Sequence, residues 1–168
     1  VNGSTRCEKC PAGKYLNKAI GGAKSCEFCP TGKVSQYGAE ECSACGAGSF
    51  ANSDNTTCGR CGKGTWSATA DANSNATCTS CPRGTYSSAK GLASKEDCTK
   101  CPPGKFSNRT GNNNKDGCKK CPANTFNAES GRNRTCAPCD SSGKSSEGAT
   151  ICEKCEAGYY MTAQKTCE

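Results

Sequence analysis

The sequence predicts a small disulfide-rich fold, an elongated linear array of short loops and two-stranded ribbons that resembles a solenoid rod. Little other regular secondary structure and no helix of note are expected. Three observations lead to this prediction. Cysteine supplies 19 of the 168 residues, a share typical of disulfide scaffolds. Leu, Ile, Val and Phe together number only 10. A Cys-x-x-Cys pair also recurs along the whole chain.

Apolar burial cannot order this chain, so covalent cross-links must contribute. Ordering the backbone of each residue costs roughly 1–2 kcal/mol. One buried aromatic per repeat, at about 25 cal/mol per Å² of buried area, returns only a few kcal/mol. A disulfide that closes about 15 residues contributes roughly 3 kcal/mol. Disulfides persist in oxidising surroundings, which predicts an extracellular or cell-surface location.

The repeated motif is first seen as Cys10-Pro11-Ala12-Gly13-Lys14-Tyr15, and each copy follows a Cys-x-x-Cys. Successive pairs begin 15–20 residues apart, and a short fixed period indicates a linear array of stacked repeats. We predict one continuous array over residues 1–168, part of a longer chain, with about nine repeats of 15–20 residues. The repeats begin at Cys10, Cys29, Cys45, Cys61, Cys81, Cys101, Cys121, Cys139 and Cys155.

Each motif reads as a tight turn followed by a short strand. Pro suits the second position of such a turn and Gly the fourth. Asn124 replaces the Gly of its repeat, and Asn also tolerates a left-handed conformation. In the repeat from Cys139, Gly143 is shifted by one position and Lys144 takes the aromatic position, which predicts a weak joint or a bend. Aromatic residues at that position elsewhere are expected to cover the sulfurs and the junctions between repeats: Tyr15, Phe50, Trp66, Tyr86, Phe106, Phe126 and Tyr160.

Sequence alone does not fix the disulfide connectivity. In the favoured scheme the second Cys of each pair bonds the first Cys of the next, which leaves Cys7 unpaired in this fragment. Bonding within each Cys-x-x-Cys would instead leave Cys167 alone, and an interleaved pattern such as Cys7–Cys26 with Cys10–Cys29 is a third possibility. The favoured bonds are Cys10–Cys26, Cys29–Cys42, Cys45–Cys58, Cys61–Cys78, Cys81–Cys98, Cys101–Cys118, Cys121–Cys136, Cys139–Cys152 and Cys155–Cys167.

Five Asn-x-Ser/Thr sequons, at Asn2, Asn55, Asn75, Asn108 and Asn133, predict N-linked glycans. Three of them, Asn55, Asn75 and Asn133, lie three residues before the first Cys of a pair. Equivalent positions in a regular array face one direction or wind steadily around it, which favours a glycan coat. The alternative is that these are turn-forming Asn residues that carry no sugar.

The net charge of +7 has two interpretations. Three lysines, Lys14, Lys33 and Lys105, share one position of the motif, and Arg83 lies one position earlier in its own copy. They form a sparse basic stripe if the repeats stack regularly. The favoured interpretation is a solvated face that keeps the array soluble, and the alternative is a surface for an acidic glycan or an anionic surface.

The cysteine spacing also fits a zinc site, because two Cys-x-x-Cys pairs separated by 15–20 residues form a recognised Cys₄ pattern. The gaps after Cys61, Cys81 and Cys101 have this length. The array is continuous, however, and is not grouped in fours. Because the chain contains no His, a nucleophile–base pair for hydrolysis cannot be drawn. We therefore expect no enzyme activity, catalytic residue, metal or cofactor.

The repeated Cys-x-x-Cys-Pro-x-Gly-x-aromatic, as in Cys81-Pro82-Arg83-Gly84-Thr85-Tyr86, resembles the cysteine-rich repeats of ephrin receptors. It also resembles the first-type modules of tumour necrosis factor receptors and repeats of protist surface proteins, including ciliate immobilisation antigens. The resemblance favours an extracellular structural protein, namely a glycosylated stalk, coat or filament component. Self-association into a fibre or coat is expected if a ridge of aromatic side chains stays exposed. A receptor or adhesion ectodomain spacer that binds a protein or glycan ligand is the first alternative, and a zinc-binding Cys₄ array is the second. Neither nucleic-acid binding nor membrane insertion within the segment is expected.

Overall fold

Short antiparallel ribbons separated by tight turns make up the regular structure of the chain. The computed structural model describes residues 8–18, 24–156, 158–159, 162–164 and 167–168. In this part of the chain 16 strands pair as eight two-stranded ribbons, and no α-helix is present. The ribbons are β1 Lys14–Lys18 with β2 Lys24–Phe28, β3 Lys33–Val34 with β4 Ser43–Ala44, β5 Ser49–Ala51 with β6 Cys58–Arg60, β7 Thr65–Trp66 with β8 Thr79–Ser80, β9 Thr85–Tyr86 with β10 Thr99–Lys100, β11 Lys105–Phe106 with β12 Lys119–Lys120, β13 Thr125–Phe126 with β14 Ala137–Pro138, and β15 Gly143–Lys144 with β16 Glu153–Lys154.

Three 3₁₀ turns, Asn75–Thr77, Lys95–Asp97 and Lys115–Gly117, lie directly before the cysteines that close their loops. Ser74 and Asn114 cap two of these turns, because their side chains accept hydrogen bonds from backbone N–H groups two residues later. The predicted fold class, a disulfide-rich repeat array with little regular structure, is confirmed.

A tight turn precedes the first strand of each ribbon, and it begins one residue later than predicted. Lys14 N donates to Pro11 O at 3.1 Å, and Lys105 N donates to Pro102 O at 3.2 Å. Pro is therefore the first residue of the turn, and the Gly, as in Gly13 with φ of 81°, is the third. A turn of this kind requires a positive φ at its third residue, which explains the Gly. The prediction that Pro is second and Gly fourth was wrong by one position.

Asn124 takes the place of the turn Gly in its repeat. Its φ is 61°, and Thr125 N donates to Pro122 O at 3.1 Å, as in the other turns. The prediction that Asn124 retains the left-handed conformation is therefore confirmed.

The core consists of cystine sulfur and small polar side chains. The turn cysteines Cys81, Cys101 and Cys121 are completely buried. Beside them lies a column of buried residues, each six positions after its turn cysteine: Ser35, Ala51, Ser67, Ser87, Ser107, Asn127 and Ser145. The described residues include no buried side-chain nitrogen or oxygen atom without a hydrogen-bond partner. Hydrogen bonds thus offset the free-energy cost of burying these polar side chains.

Each repeat is joined to the next through main-chain hydrogen bonds. Gly84 N donates to Ser107 O at 2.9 Å, and Ser107 N in turn donates to Arg132 O at 3.0 Å. Gly131 N donates back to Cys101 O at 2.8 Å. Among the described residues all three bonds occur at six joints, and the joint between the repeats from Cys29 and Cys45 retains one, from Ser35 N to Asn55 O. The joint is thus made by atoms that almost every residue possesses.

A polar side chain often completes the joint. Ser35 Oγ donates to Lys14 O at 2.8 Å, and Asn127 Nδ2 donates to Lys105 O at 2.9 Å. Each bond runs from the buried column of one repeat to the first strand of the repeat before it.

The repeat from Cys139 lacks the usual Pro and Gly, yet its joint to the preceding repeat is normal. Asn124 N donates to Ser145 O, and Gly148 N donates to Cys121 O. The Asp140 carboxylate accepts hydrogen bonds from the Ser142 N–H and hydroxyl, which rebuilds the turn without Pro. The prediction of a weak joint is wrong on this side of the repeat, because the joint depends on main-chain atoms.

The contacts of the chain group into two units. One contains Val1–Cys61, Ser67–Thr79 and Gly91–Ser94, and the other contains Gly62–Trp66, Ser80–Lys90 and Lys95–Glu168. Both are built from the ribbons, turns and joints described above. That the nine repeats form one continuous array stays a prediction.

Candidate functional site

Nine disulfides link the second Cys of each pair to the first Cys of the next. Their Cα–Cα distances are 5.4–5.9 Å, within the range usual for disulfides. The bonds are Cys10–Cys26, Cys29–Cys42, Cys45–Cys58, Cys61–Cys78, Cys81–Cys98, Cys101–Cys118, Cys121–Cys136, Cys139–Cys152 and Cys155–Cys167. The structure thus has the loop-closing connectivity, and Cys7 lies outside the described residues.

This connectivity bears on the zinc alternative. Zinc is held by deprotonated cysteine thiolates, whereas these sulfurs are bonded to one another in pairs. Within the described ranges no group of three or more His, Cys, Asp or Glu side chains is placed to hold a metal ion.

The turn glycines have a second role that the turn alone does not explain. The backbone of the repeat after next lies where their Cβ would be. A Cβ built on Gly64 would lie 2.5 Å from Gly111 O and 2.9 Å from Asn112 O. Gly48 has the same relationship with the backbone of Gly91, and Gly84 with that of Gly131. The repeats that contain Gly48, Gly64 and Gly84 therefore contact both the next repeat and the one after it.

The described aromatic side chains at the aromatic position of the motif are half-buried and lie in the first strand of their own ribbons. Phe50 is paired with Gly59 across the ribbon, and a Cβ on Gly59 would lie 2.8 Å from Cζ of the Phe50 ring. The ring thus packs over the opposite strand of its ribbon. Whether the other aromatics cover the sulfurs, as predicted from the sequence, stays a prediction, and Tyr160 lies outside the described residues.

Asn55, one of the predicted glycosylation sites, lies in a closed turn. Its φ is 56°, it is half-buried, and its Nδ2 donates to Cys29 O at 3.3 Å. Its carbonyl accepts the Ser35 N–H at 3.0 Å. Asn55 therefore joins two repeats with its side chain, the atom group to which a glycan would attach.

The residues beside Asn55 fix the same turn. The Thr56 hydroxyl donates to Asp54 Oδ1 at 2.7 Å, and the Thr56 N–H donates to the same oxygen at 3.2 Å. These two hydrogen bonds, which stabilise the carboxylate, hold the pKa of Asp54 below its ordinary value. The Asn52 side chain also accepts from the Thr57 N–H at 3.0 Å.

The other described sequons are exposed. Asn75 is the first residue of a 3₁₀ turn, while Asn108 and Asn133 lie in loops. The three Asn-x-Thr-Cys sequons are thus not structurally equivalent, contrary to the sequence-based expectation, because the loop around Asn55 folds back onto the preceding repeat. Asn2 lies outside the described residues.

The proposed basic stripe has mixed surroundings. Lys14, Lys33 and Lys105 are half-buried and Arg83 is exposed. Lys14 Nζ lies 4.2 Å from the centroid of the exposed Phe28 ring, a cation–π contact within its own ribbon. Lys14 and Lys33 belong to one of the two units, and Arg83 and Lys105 belong to the other.

The buried column of Ser and Asn was missed by the sequence reasoning. No burial was predicted for these residues, although Ser87 and Ser107 are each less than 5% exposed. The available signal was their constant position, six residues after a buried cysteine. The side chains of Ser35, Asn127 and Ser145 make hydrogen bonds across the joint. Those of Ser87 and Ser107 bond within their own repeats.

No helix in the described part of the chain has the length and apolar character needed to cross a lipid bilayer.

Comparison with known families agrees with this geometry. Residues 69–118 match the family model described as tyrosine-protein kinase ephrin type A/B receptor-like. No curated protein matches the chain. The match and the series of disulfides show that the chain carries cysteine-rich ephrin-receptor-like repeats, as the resemblance implied. Both features are typical of extracellular domains.

Proposed function

We propose that the chain is an extracellular structural element, a glycosylated and disulfide-stapled component of a stalk, coat or filament. The role is mechanical and not catalytic. The observation that carries the proposal is the joint between repeats, in which Gly84, Ser107 and Arg132 connect three consecutive repeats by main-chain hydrogen bonds. A joint of this kind fixes the position of one repeat against the next.

The disulfides suit a chain that bears tension. Each bond closes one loop, so a pulling force acts on the short segments between loops while the loop residues carry none. Cys101 and Cys118 enclose a sequence separation of 17 residues, and an extended chain spans about 3.3–3.6 Å per residue. While this disulfide is intact, the loop residues cannot be stretched, so the fully extended chain is shorter by roughly 50 Å.

Single-molecule pulling tests this proposal directly. The oxidised chain is expected to extend in short steps, because only inter-loop segments and joints yield. The variant Cys101→Ser/Cys118→Ser should gain about 50 Å of contour length and otherwise retain the pattern. A force–extension curve that is the same before and after reduction of all disulfides would contradict a load-bearing role.

Glycans on the exposed sequons would complete this role by shielding the backbone from proteases and neighbouring molecules. We propose that Asn75, Asn108 and Asn133 carry them. Self-association into a fibre or coat belongs to the same proposal, and imaging of native material is its test.

A receptor or adhesion ectodomain spacer is the second candidate, and the family description favours it, since that description refers to ephrin receptors. The repeats would then hold a separate ligand-binding domain away from the membrane. The full-length coding sequence distinguishes the two candidates, because a spacer requires a non-repeating binding domain in the same polypeptide.

A further inference from the structure

The positive charge of the chain is concentrated in one short region. Residues 100–134 contain eight Lys and Arg residues and two acidic residues, a net charge of +6, whereas the whole chain has +7. The remaining residues are almost neutral in sum. The region spans two repeats, and it lies entirely within one of the two structural units.

Two of these cations face each other across a ribbon. Lys105 in β11 is directly opposite Lys120 in β12. Side chains in this relationship project from the same face of the ribbon, where like charges destabilise the pair. Lys120 Nζ lies 3.7 Å from the Glu147 carboxylate, but both side chains are more than half exposed, so this pair offsets little of the repulsion.

The joints hold the stems of the basic side chains in place. A Cβ on Gly131 would lie 3.3 Å from Lys100 Cδ, and a Cβ on Gly148 would lie 3.5 Å from Lys120 Cδ. Lys100 and Lys120 occupy the same position in adjacent repeats. Their ammonium groups project from stems that already rest on the backbone, so binding an anion costs less side-chain entropy.

Arg132 directly follows Gly131, whose Cβ would lie against the Lys100 stem. Its Nε and Nη2 donate to Thr135 O at 3.1 and 3.0 Å. A guanidinium group has five N–H donors, so Arg132 is oriented by two of them and has further donors for an anion. We call Lys100, Lys105, Lys120 and Arg132 the basic surface.

The composition of the region indicates the kind of anion. Of the described residues, the exposed large apolar side chains are Phe28, Tyr37, Ile151 and Tyr159, and all lie outside residues 100–134. Peripheral membrane surfaces usually combine basic with apolar side chains, which this region lacks. The disulfides place the chain where polysaccharides are abundant and nucleic acids are not.

We propose that the basic surface binds a sulfated polysaccharide. The sulfate groups would pair with Lys100, Lys105 and Lys120, relieve the repulsion between Lys105 and Lys120, and accept from the remaining N–H donors of Arg132. This function goes beyond the structural role, because an array that only spans a distance does not need a charged region of one sign.

Binding to heparin, used as the sulfated polysaccharide, tests the proposal. The whole chain, with N-glycans removed because Asn108 and Asn133 lie in the region, is titrated at physiological ionic strength. We expect the variant Lys100→Gln/Lys105→Gln/Lys120→Gln to bind about tenfold more weakly, since each exposed ion pair contributes modestly. Gln keeps much of the aliphatic stem, and a disulfide map verifies that the variant is folded.

The matched control is Lys18→Gln/Lys63→Gln/Lys90→Gln, which removes the same charge from exposed lysines outside the region. It should bind heparin within about twofold of the original chain. Replacement of Lys100, Lys105 and Lys120 by Arg should preserve affinity. The dependence of log K on log salt should be shallower by roughly two to three for the Gln variant only.

Three outcomes would overturn the proposal. The first is the absence of heparin binding by the original chain. The second is equal weakening of both Gln variants, which would indicate net charge without a site. The third is binding to phosphatidylserine vesicles that depends on the three lysines while heparin binding does not, which would identify a membrane surface instead.

Discussion

The carbonyl oxygen of Gly111 occupies the space that a side chain on Gly64 would need, at 2.5 Å from an ideal Cβ. The two residues are 47 positions apart in the sequence and belong to repeats that are not neighbours in the chain. Gly64 is thus constrained twice, once by its φ of 74° and once by the backbone packed against it. The two constraints can be separated by mutation.

Gly64→Ala should destabilise the array more than Gly111→Ala. Gly111 also has a positive φ, of 70°, but its added Cβ would meet chiefly the Ser80 side chain, with Oγ at 3.2 Å and Cβ at 3.5 Å, and would lie 4.0 Å from Gly64 O. Left-handed backbone costs an Ala about 1–2 kcal/mol, and overpacking adds typically 1–3 kcal/mol for Gly64→Ala. Hydrogen exchange at the Cys81 amide, which donates to Gly64 O, should accelerate about tenfold in Gly111→Ala and at least a hundredfold in Gly64→Ala. Equal acceleration of exchange in the two variants would show that the positive φ alone, without the packed backbone, accounts for the destabilisation.

Gly62→Pro should stabilise the repeat that begins at Cys61. Pro82 and Pro102 occupy the same position in the following repeats, and a Cβ on Gly62 would meet nothing within 4 Å. Proline restricts the unfolded chain, which contributes about 0.4–1 kcal/mol where the native backbone accepts it. The midpoint of chemical denaturation with disulfides intact measures the effect. Gly64→Pro is the contrasting variant and should prevent native disulfide formation, because its backbone requires a positive φ.

Occupancy of the sequons should differ between sites. We expect sugar on Asn75, Asn108 and Asn133 and the lowest occupancy on Asn55, since a glycan there would displace the contact of Nδ2 with Cys29 O. Peptide mapping of unreduced protein by mass spectrometry, before and after removal of N-glycans, gives occupancy and connectivity together. Full occupancy of Asn55 in correctly bonded protein would contradict the structural role assigned to its amide.

Solution scattering checks the predicted rod. A compact chain of 168 residues has a radius of gyration of about 15 Å, and a linear array of nine repeats should be well above this value. The measurement should be repeated after removal of N-glycans, because sugars also enlarge the radius. A compact value for the deglycosylated chain would exclude the rod.

The sequence predicted those features that depend on one repeat at a time. The fold class follows from the scarcity of apolar residues and the period of the cysteines. The left-handed conformation of Asn124 follows from its position in the motif, where the other copies have Gly. Loop-closing bonds such as Cys81–Cys98 follow from local spacing, although spacing also left two other connectivities open.

Features that depend on contacts between repeats could not be predicted in the same way. The period does not reveal that Gly64 meets Gly111 two repeats later, because a periodic sequence is compatible with many stacking geometries. The burial of Ser107 was equally hidden, since serine is usually exposed, whereas here its hydroxyl accepts hydrogen bonds from Arg109 N–H and Asn112 Nδ2 of the same repeat. The residues of the basic surface occupy different positions of the motif. A comparison restricted to one motif position, that of Lys14, Lys33 and Lys105, therefore did not reveal it.

A joint made of main-chain atoms also has a genetic consequence. The bonds among Gly84, Ser107 and Arg132 are made by N–H and C=O groups, which duplicated copies inherit even where their outward side chains differ. When unequal recombination adds or removes a whole repeat, the repeats that become neighbours can therefore still form the same main-chain hydrogen bonds. The length of such a protein can change in steps of one repeat, while its outward side chains diversify independently of how the copies are fastened together.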